Sequence, residues 1–463
     1  MKEVRKKSAD PAVAKIIAKA WREQTRLAWD RADALQPRCG FGRLGICCTD
    51  CHEGPCRVNP FAADGQQTIC GRGQQDLAAA GFARLTADGA AGLVSLAAQF
   101  GAALDNGVLA AALAPADEML AAVDTLAARG RAAGQALAAI AARKDAVLGP
   151  RQPALTAANL GVLKADAVNI VLHGHIAPAT VKLLLAAAAG KAGLSALCGA
   201  ETPGLPVLTN YDSQEAPLLT GAVDLLVVGS QCVMPAALAL AGEKGIPVLA
   251  AAAVASDQDA AAAVAQAQAG FARRAGKPAA IPADSSELCS GYTAANSAAL
   301  LAALAAARGK SAVRGLVYFG GCGNLAATQD ADLVKLAAGL LADGYLLAAA
   351  GCAGAALAKA GLCRPEAAGR LKAALPAGTP PVLHLGACHD AGEFLRLAAA
   401  AGQLPVFAVF PEITHNKVLA TAVAFAAEGI TAYLGLDEAA AIPAGVLAGR
   451  LLPLADLAAA ATN

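Results

Sequence analysis

The sequence predicts an α/β protein, with a helical, cysteine-rich N-terminal domain followed by two Rossmann-like α/β domains that contain parallel sheets. Short apolar runs ending in a glycine or small-residue turn alternate with Ala/Leu-rich stretches, and helices are expected at 331–342, 391–401 and 416–428. This alternation is typical of βαβ units. The N-terminal part differs, because it holds six of the 13 cysteines between Cys39 and Cys70.

Chain length sets the expected number of domains. At roughly 150 residues per domain, 463 residues correspond to about three. We expect the helical N-terminal domain over 1–160, the first Rossmann-like domain over 161–311 and the second over 312–463. The Ala-rich stretch 260–269 is expected to be a helix, since alanine has the highest helix propensity.

Composition excludes several functional classes. The 37 Lys and Arg residues balance 36 Asp and Glu, and the longest basic run is 5–7, so no nucleic-acid-binding face is expected. Mean hydropathy is high at +0.48, yet polar residues interrupt the charge-free stretches 225–242 and 290–307, which therefore predict no membrane span. The N-terminal sequence lacks the apolar centre of a signal peptide. We expect a cytoplasmic protein with metal-bound or free thiols.

The N-terminal cysteines indicate metal sites. Four of them have spacings that suit thiolates around one compact iron–sulfur cluster, namely Cys48, Cys51, Cys56 and Cys70. A structural zinc site with four cysteine ligands is the alternative, but it would leave two neighbouring cysteines unused. That remaining pair is Cys39 and Cys47. The two residues either bind half of a cluster on the two-fold axis of a homodimer or are free buried thiols.

Cysteine also recurs where predicted strands end, the edge at which parallel sheets bind ligands. The residues in this position are Cys198, Cys232, Cys322, Cys352 and Cys388, and the strand at 167–172 ends in His173 and His175 instead. Any one such cysteine is more often a small core residue, but five in the same topological position indicate a shared site. Thiolates favour iron–sulfur chemistry and also suit a thiophilic second metal such as nickel. Cys289 and Cys363 lack this position and are expected to be structural thiols.

The most specific motif of the chain is the cysteine- and glycine-rich segment 39–56. Further motifs lie at 171–175, 220–224, 231–235, 321–324, 351–353, 358–362, 384–390 and 411–412, followed by Lys417. In this order, the motifs resemble those of the nickel-iron carbon monoxide dehydrogenase family, anaerobic catalytic subunits in a superfamily shared with hybrid-cluster proteins.

The resemblance implies a ligand set for each metal group. A 4Fe-4S relay cluster would be held by Cys48, Cys51, Cys56 and Cys70, and half of an iron–sulfur cluster shared between two subunits by Cys39 and Cys47. The active site would be a nickel-iron-sulfur cubane with an outlying iron. Its cubane irons would be bound by Cys232, Cys322 and Cys352, its nickel by Cys388, and the outlying iron by His175 and Cys198. The choice of His175 over His173 rests on the family motif.

The implied reaction is CO + H2O ⇌ CO2 + 2H+ + 2e−, with Cys388, His175 and Lys417 in catalytic roles. Lys417 would stabilise the bound carboxylate as a preorganised cation, although without the resemblance a solvent-facing helix lysine is an equally good interpretation. The implied partners are a second copy of the chain, a ferredoxin-like electron carrier and a nickel-insertion accessory protein.

The sequence also departs from the family it resembles. Family members are longer, and they carry a histidine-rich segment that conveys protons, whereas residues 81–152 contain no histidine here. The protons must then leave through water or other groups. The alternative function is a hydroxylamine reductase-like enzyme with an iron-sulfur-oxo hybrid cluster, which needs no nickel. A simple electron-transfer protein would not need six ligands at strand ends.

Overall fold

The computed structural model describes residues 6–62, 65–114, 122–306, 313–436, 442 and 446–458. Its N-terminal part is helical except for a short hairpin of β1 (Cys47–Cys48) and β2 (Cys56–Arg57). The helices of this part are α1 (Pro11–Arg22), α2 (Ala28–Ala34), α3 (Gly40–Arg43), α4 (Gln74–Gln99), α5 (Asn106–Leu113) and α6 (Ala122–Leu148).

A four-stranded, wholly parallel sheet follows, with the strand order β5-β4-β6-β7. Its strands are β4 (Asn169–His173), β5 (Gly193–Leu197), β6 (Leu225–Val228) and β7 (Val248–Ala250). The helices beside it are α7 (Pro178–Ala188), α8 (Pro235–Glu243) and α9 (Asp257–Arg274). Every residue of β4 is buried, as expected for a parallel strand covered on both faces.

The second sheet has eight strands in the order β14-β13-β12-β9-β10-β11-β8-β3. They are β3 (Ala154–Ala158), β8 (Ser286–Ser290), β9 (Gly315–Phe319), β10 (Tyr345–Ala350), β11 (Val382–Gly386), β12 (Val406–Phe410), β13 (Thr431–Leu434) and β14 (Leu451–Pro453). All neighbouring pairs are parallel except β3 with β8. The accompanying helices are α10 (Ala294–Ala306), α11 (Ala331–Asp343), α12 (Gly351–Lys359), α13 (Gly392–Ala400) and α14 (Asn416–Ala427).

The largest hydrophobic core joins the N-terminal helices to the eight-stranded sheet. It contains Leu93 of α4 and Leu137 of α6 together with Phe319 of β9 and Phe425 of α14. The helices α4, α6 and α14 pack against one another. This packing holds the first turn of α14, which carries Lys417, against α4.

The observed architecture agrees with the fold class predicted from sequence. The helices expected at 331–342, 391–401 and 416–428 correspond to α11, α13 and α14, and α9 spans the Ala-rich stretch. The domain limits stay a prediction: the limit at 311/312 falls outside the described residues, and β3 and β8 both belong to the larger sheet. Within the described ranges, every helix is too short or too polar to cross a membrane.

Candidate metal centre

Six strands from the two sheets each deliver one potential metal ligand just beyond the carboxyl end of the strand. These residues are His175 after β4, Cys198 after β5, Cys232 after β6, Cys322 after β9, Cys352 after β10 and Cys388 after β11. Neighbouring strands within each set are parallel, so their carboxyl ends lie at one edge of the sheet, where ligands bind.

The donor atoms of these residues converge. Sγ of Cys198 lies 3.2 Å from Sγ of Cys352, and Nε2 of His175 lies 3.5 Å from Sγ of Cys232. The same Nε2 is 3.8 Å from Sγ of Cys388. Cys322 is buried close to this group, and the backbone N–H groups of residues 414 and 415 point towards its sulfur. The structure thus brings all six sequence-predicted ligands to one place.

Special backbone conformations allow these residues to approach so closely. Cys232 has a φ of 56°, in the left-handed region that is costly for a residue with a Cβ. At Gly351 (φ +61°), an added Cβ would lie 2.6 Å from Cβ of Cys388. At Gly229 it would lie 2.1 Å from the carbonyl oxygen of His175. Both glycines are therefore required by close packing around the ligands.

His175 points Nε2 at the thiols, and its Nδ1 contacts groups on the opposite side of the ring. Nδ1 lies 3.2 Å from the carbonyl oxygen of Gly199 and 3.0 Å from Nδ1 of His389. A proton on Nδ1, donated to that carbonyl, leaves the Nε2 lone pair free for a metal, the usual arrangement around metal-binding histidines. His173 is instead held within the fold, with Nε2 2.8 Å from Oε1 of Gln214. Of the two histidines, His175 is the one that reaches the thiols.

Lys417 is a buried member of the same site. Its side chain is 9% exposed, which excludes the solvent-facing interpretation. Nζ hydrogen-bonds to Nε2 of His175 and lies 3.5 Å from Sγ of Cys232. Burial opposes the ammonium charge, but electrostatic interactions with Cys232 and, secondly, with Cys388 outweigh burial and raise the pKa of Lys417. Burial and Lys417 together lower the pKa of His175, so the imidazole is neutral.

The five thiols resist ionising together. Hydrogen bonding with Cys198 and Cys388 lowers the pKa of Cys232. The hydrogen bond with Cys232, followed by other contacts and burial, raises the pKa of both Cys198 and Cys388, and burial raises that of Cys322. Ionising all five would require more positive charge than Lys417 supplies. Metal ions provide such charge and deprotonate the thiols that bind them, so this donor set fits a thiolate-bound metal cluster.

A buried ion-pair network lies behind His175. Lys144 Nζ is 3.2 Å from Nε2 of His389 and 2.6 Å from Oδ2 of Asp390. Arg151 pairs with the other oxygen of Asp390 at 2.8 Å and with Glu393 at 2.7 Å. Burial lowers the pKa of Lys144 and, together with Lys144, that of His389. Sequence reasoning missed this network, for which the only local signal was the run Cys388-His389-Asp390.

The N-terminal cysteines surround the short hairpin. Pairing of β1 with β2 places Cys48 opposite Cys56, and Cys47 opposite Arg57. Thr68 Oγ1 lies 3.3 Å from Sγ of Cys70, and this hydrogen bond lowers the pKa of the thiol. Cys39 and Cys51 are exposed. Over the described part of the chain, the hairpin thiols do not place three ligand atoms within 4.8 Å of one another, the spacing that a single ion such as zinc would need.

Fold and site together define a class: an α/β protein whose parallel strands carry a cluster of thiols and one imidazole, suited to a metal, at their carboxyl ends. The sequence profile of the Prismane/CO dehydrogenase family matches residues 106–449. The chain belongs to this family.

Named relatives cover most of the chain. It is 28% identical to carbon monoxide dehydrogenase 2 of Carboxydothermus hydrogenoformans, over 93% of this chain and 91% of that protein. It is 29% identical to carbon monoxide dehydrogenase of Rhodospirillum rubrum, over 89% and 88% respectively. The first alignment extends over 580 residues, more than this chain contains, so that relative has segments without a counterpart here.

Solved structures resemble the fold closely. Carbon monoxide dehydrogenase IV from Carboxydothermus hydrogenoformans matches with a TM-score of 0.88 at 25% identity, covering 99% of this chain and 98% of the other. A carbon monoxide dehydrogenase from Thermococcus sp. AM4, in a nickel-free form, matches with a TM-score of 0.78 at 24% identity, covering 97% and 92%. This second likeness concerns the fold alone.

Proposed function

We propose that this protein is an anaerobic carbon monoxide dehydrogenase that catalyses CO + H2O ⇌ CO2 + 2H+ + 2e−. The observation that carries the proposal is the convergence of five thiols and one imidazole from the ends of six strands. Membership of the Prismane/CO dehydrogenase family and the activity named for its relatives support it.

A nickel-iron-sulfur cluster is the group that this donor set would hold. Its irons would be bound by Cys232, Cys322 and Cys352, its nickel by Cys388, and an outlying iron by His175 and Cys198. When bound, such a cluster supplies a soft metal for CO and a Lewis-acidic metal that lowers the pKa of water.

The residues around the cluster bind and orient the substrate. A small cavity of about 10 Å³, bordered by Leu93, Leu96 and Phe410, lies beside Cys388 and Lys417. Apolar side chains on one side and Lys417 on the other give this cavity a mixed lining that suits a small, weakly polar molecule. The Lys417 ammonium group stabilises the negative charge that develops on the carbon dioxide unit, and it does so strongly because the site is shielded from water.

Iron–sulfur clusters held by the N-terminal thiols would conduct the two electrons away. We assign a 4Fe-4S relay cluster to Cys48, Cys51, Cys56 and Cys70, and half of an iron–sulfur cluster shared with a second subunit to Cys39 and Cys47. The exposure of Cys39, one of the two thiols assigned to the shared cluster, supports this assignment. A homodimer, a ferredoxin-like electron carrier and a nickel-insertion accessory protein complete the proposal, together with a cytoplasmic location.

Metal analysis and a turnover assay on anaerobically purified protein test this function. We expect about one nickel per chain, as a single site of this kind requires, and CO-dependent reduction of a viologen dye. Iron without nickel, combined with reduction of hydroxylamine and no oxidation of CO, would overturn the proposal in favour of a hybrid-cluster enzyme.

A further inference from the structure

CO oxidation releases two protons inside a buried site, and the residues of α4 that line this site have no group that can carry a proton. Where α4 meets Lys417 it presents Gly92, at which an added Cβ would lie 3.3 Å from Cγ of the lysine. Leu93 and Leu96 of α4 line the small cavity beside it. Both ring nitrogens of His389 are engaged, by His175 and by Lys144. The inference below rests on the proposed function, because that function supplies the protons.

A cleft of about 470 Å³ lies next to the thiols and reaches the exposed residues Leu35 and Arg38. Its inner wall includes Tyr211, which packs against Cys198, Cys232 and Cys352. The backbone N–H of Tyr211 donates to Sγ of Cys352 at 3.3 Å. Tyr211 therefore lies between the cleft and the thiols of the candidate metal centre.

Asp212 lines this cleft with a carboxyl group that has no hydrogen-bond partner on either oxygen among the described residues. The side chain is 1% exposed, and burying a carboxyl group without a partner is costly. Its polar neighbours in the chain are all partnered: Asn210 with Asp330, Ser213 with Asn210, Gln214 with His173, and Glu215 with the backbone of Ala28. Asp212 is thus unlike these neighbours, whose side chains form hydrogen bonds.

The carboxyl group also lies beside the backbone that follows a proposed cluster ligand. At Gly323, the residue after Cys322, an added Cβ would lie 2.5 Å from Oδ2 of Asp212. Gly323 has a φ of +116°, which residues with a side chain rarely adopt. The chain conformation after Cys322 therefore leaves space for this carboxyl group.

The charges around Asp212 favour its neutral form. Burial and the nearby carboxylates of Glu412 and Asp330 raise the pKa of Asp212 to about 8, against smaller opposing effects of Lys359 and of the Asn324 N–H, which lies near the carboxyl group without the geometry of a hydrogen bond. The Lys359 cation is engaged elsewhere, 2.6 Å from Asp330 and 3.0 Å from Asp10. A carboxyl group that titrates near neutral pH is suited to take up and release protons.

A bound cation would be the other way to satisfy Asp212. Such a site needs several ligand atoms around one point. In the described ranges, no three ligand atoms of His, Cys, Asp or Glu that include Asp212 lie within 4.8 Å of one another. Among these side chains Asp212 therefore has no partners for a bound metal ion, whereas protonation by itself would remove the buried charge.

We propose that Asp212 is a proton carrier, which accepts the protons released at the metal centre and passes them to water in the cleft beyond Tyr211. Each turnover sends two protons along this route, while the two electrons leave through the iron–sulfur clusters to a one-electron acceptor.

Infrared spectroscopy of the full-length protein tests the state of Asp212 without relying on turnover. The wild-type minus Asp212→Asn difference spectrum should contain a carboxylic acid band at about pH 7 that disappears as the pH rises through about 8. The exposed Asp343, at the end of α11, provides the control: Asp343→Asn should give no such band. Absence of the band from the Asp212 difference spectrum would overturn the proposal.

Turnover of the metal-loaded enzyme tests the role. Asp212→Asn should lower kcat for CO oxidation at least ~10-fold with KM unchanged, and remove the inflection near about pH 8. Asp212→Glu, which keeps the carboxyl group, should restore most of the rate. Wild-type kcat and pH profile in Asp212→Asn would refute the carrier. If the wild-type protein fails to oxidise CO, the proposed function falls, whereas the infrared band still decides whether Asp212 titrates.

Discussion

The contact between α4 and α14 gives a direct test of how the fold positions Lys417. A methyl group added at Gly89 would lie 2.0 Å from the carbonyl oxygen of Asn416 and 2.8 Å from Cβ of Ala420. Carbon and oxygen atoms normally approach to roughly 3.3 Å, so the helices would have to separate by about 1 Å. Overpacking of this kind costs ~1–3 kcal/mol, more than the roughly 1 kcal/mol gained on replacing a helical glycine by alanine. Gly89→Ala is therefore expected to destabilise the protein and displace Lys417.

Gly81 provides the matched control, since it lies in the same helix and an added Cβ there meets nothing within 4 Å. Gly81→Ala should stabilise the protein by ~0.5–1 kcal/mol. Anaerobic thermal unfolding and CO-dependent dye reduction measure both variants. A displacement of about 1 Å in the site can cost ~100-fold in rate. If Gly89→Ala unfolds at the same temperature as Gly81→Ala and keeps wild-type activity, the contact does not position Lys417.

Three further perturbations address the ligands, the pH dependence and the buried network. Cys388→Ala should abolish nickel retention but leave the electron paramagnetic resonance signal of the N-terminal cluster. Cys363→Ala, at a buried thiol outside the site, should keep both the nickel and the signal. Loss of both the nickel and the signal in Cys388→Ala would refute the division into two sites. Burial raises the pKa of Glu201 from 4.5 to about 7, so its neutral form contributes stability below about pH 4.5 that is lost as the pH rises through 7. Glu201→Gln should remove roughly 3 kcal/mol of this dependence, and an unchanged fall in Tm between about pH 5 and about pH 8 would contradict it. Asp390→Asn leaves a buried ammonium group without its carboxylate and should cost about 3–5 kcal/mol, whereas Asp145→Asn, at a partly exposed ion pair, should cost less than about 1 kcal/mol; equal denaturant midpoints for the two variants would disprove this.

The sequence could predict the ligand positions because the signals are local. Cys232 and Cys352 each follow an apolar run that can be recognised without knowing its partners, and so does His175. The tendency of parallel strands to align their carboxyl ends then places such residues at one edge. The strand order alone is therefore enough to predict the position of a functional residue that immediately follows a strand.

The surroundings of the ligands could not be predicted, since they depend on contacts between distant parts of the chain. Lys144 and His389 are 245 residues apart in sequence, and nothing in the helical pattern of α6 marks Lys144 as buried. The antiparallel pairing of β3 with β8 could not be predicted either, because it depends on which sheet edge the strand meets in the folded protein. Likewise, Asp212 differs from its polar neighbours only in lacking a partner, a property of the tertiary structure.

The two buried lysines near His175 explain how the imidazole can remain a ligand. Lys417 faces its Nε2 and retains its charge because the thiols outweigh burial. Lys144 reaches its Nδ1 side through His389, and burial lowers the pKa of Lys144 despite Asp390. Burial first, and then the positive charge on both sides, lower the pKa of both imidazoles and disfavour their protonation. Since only the neutral ring has a lone pair for a metal, burial and these cations keep His175 in the form that the proposed metal site needs at pH values where an exposed histidine would be partly protonated.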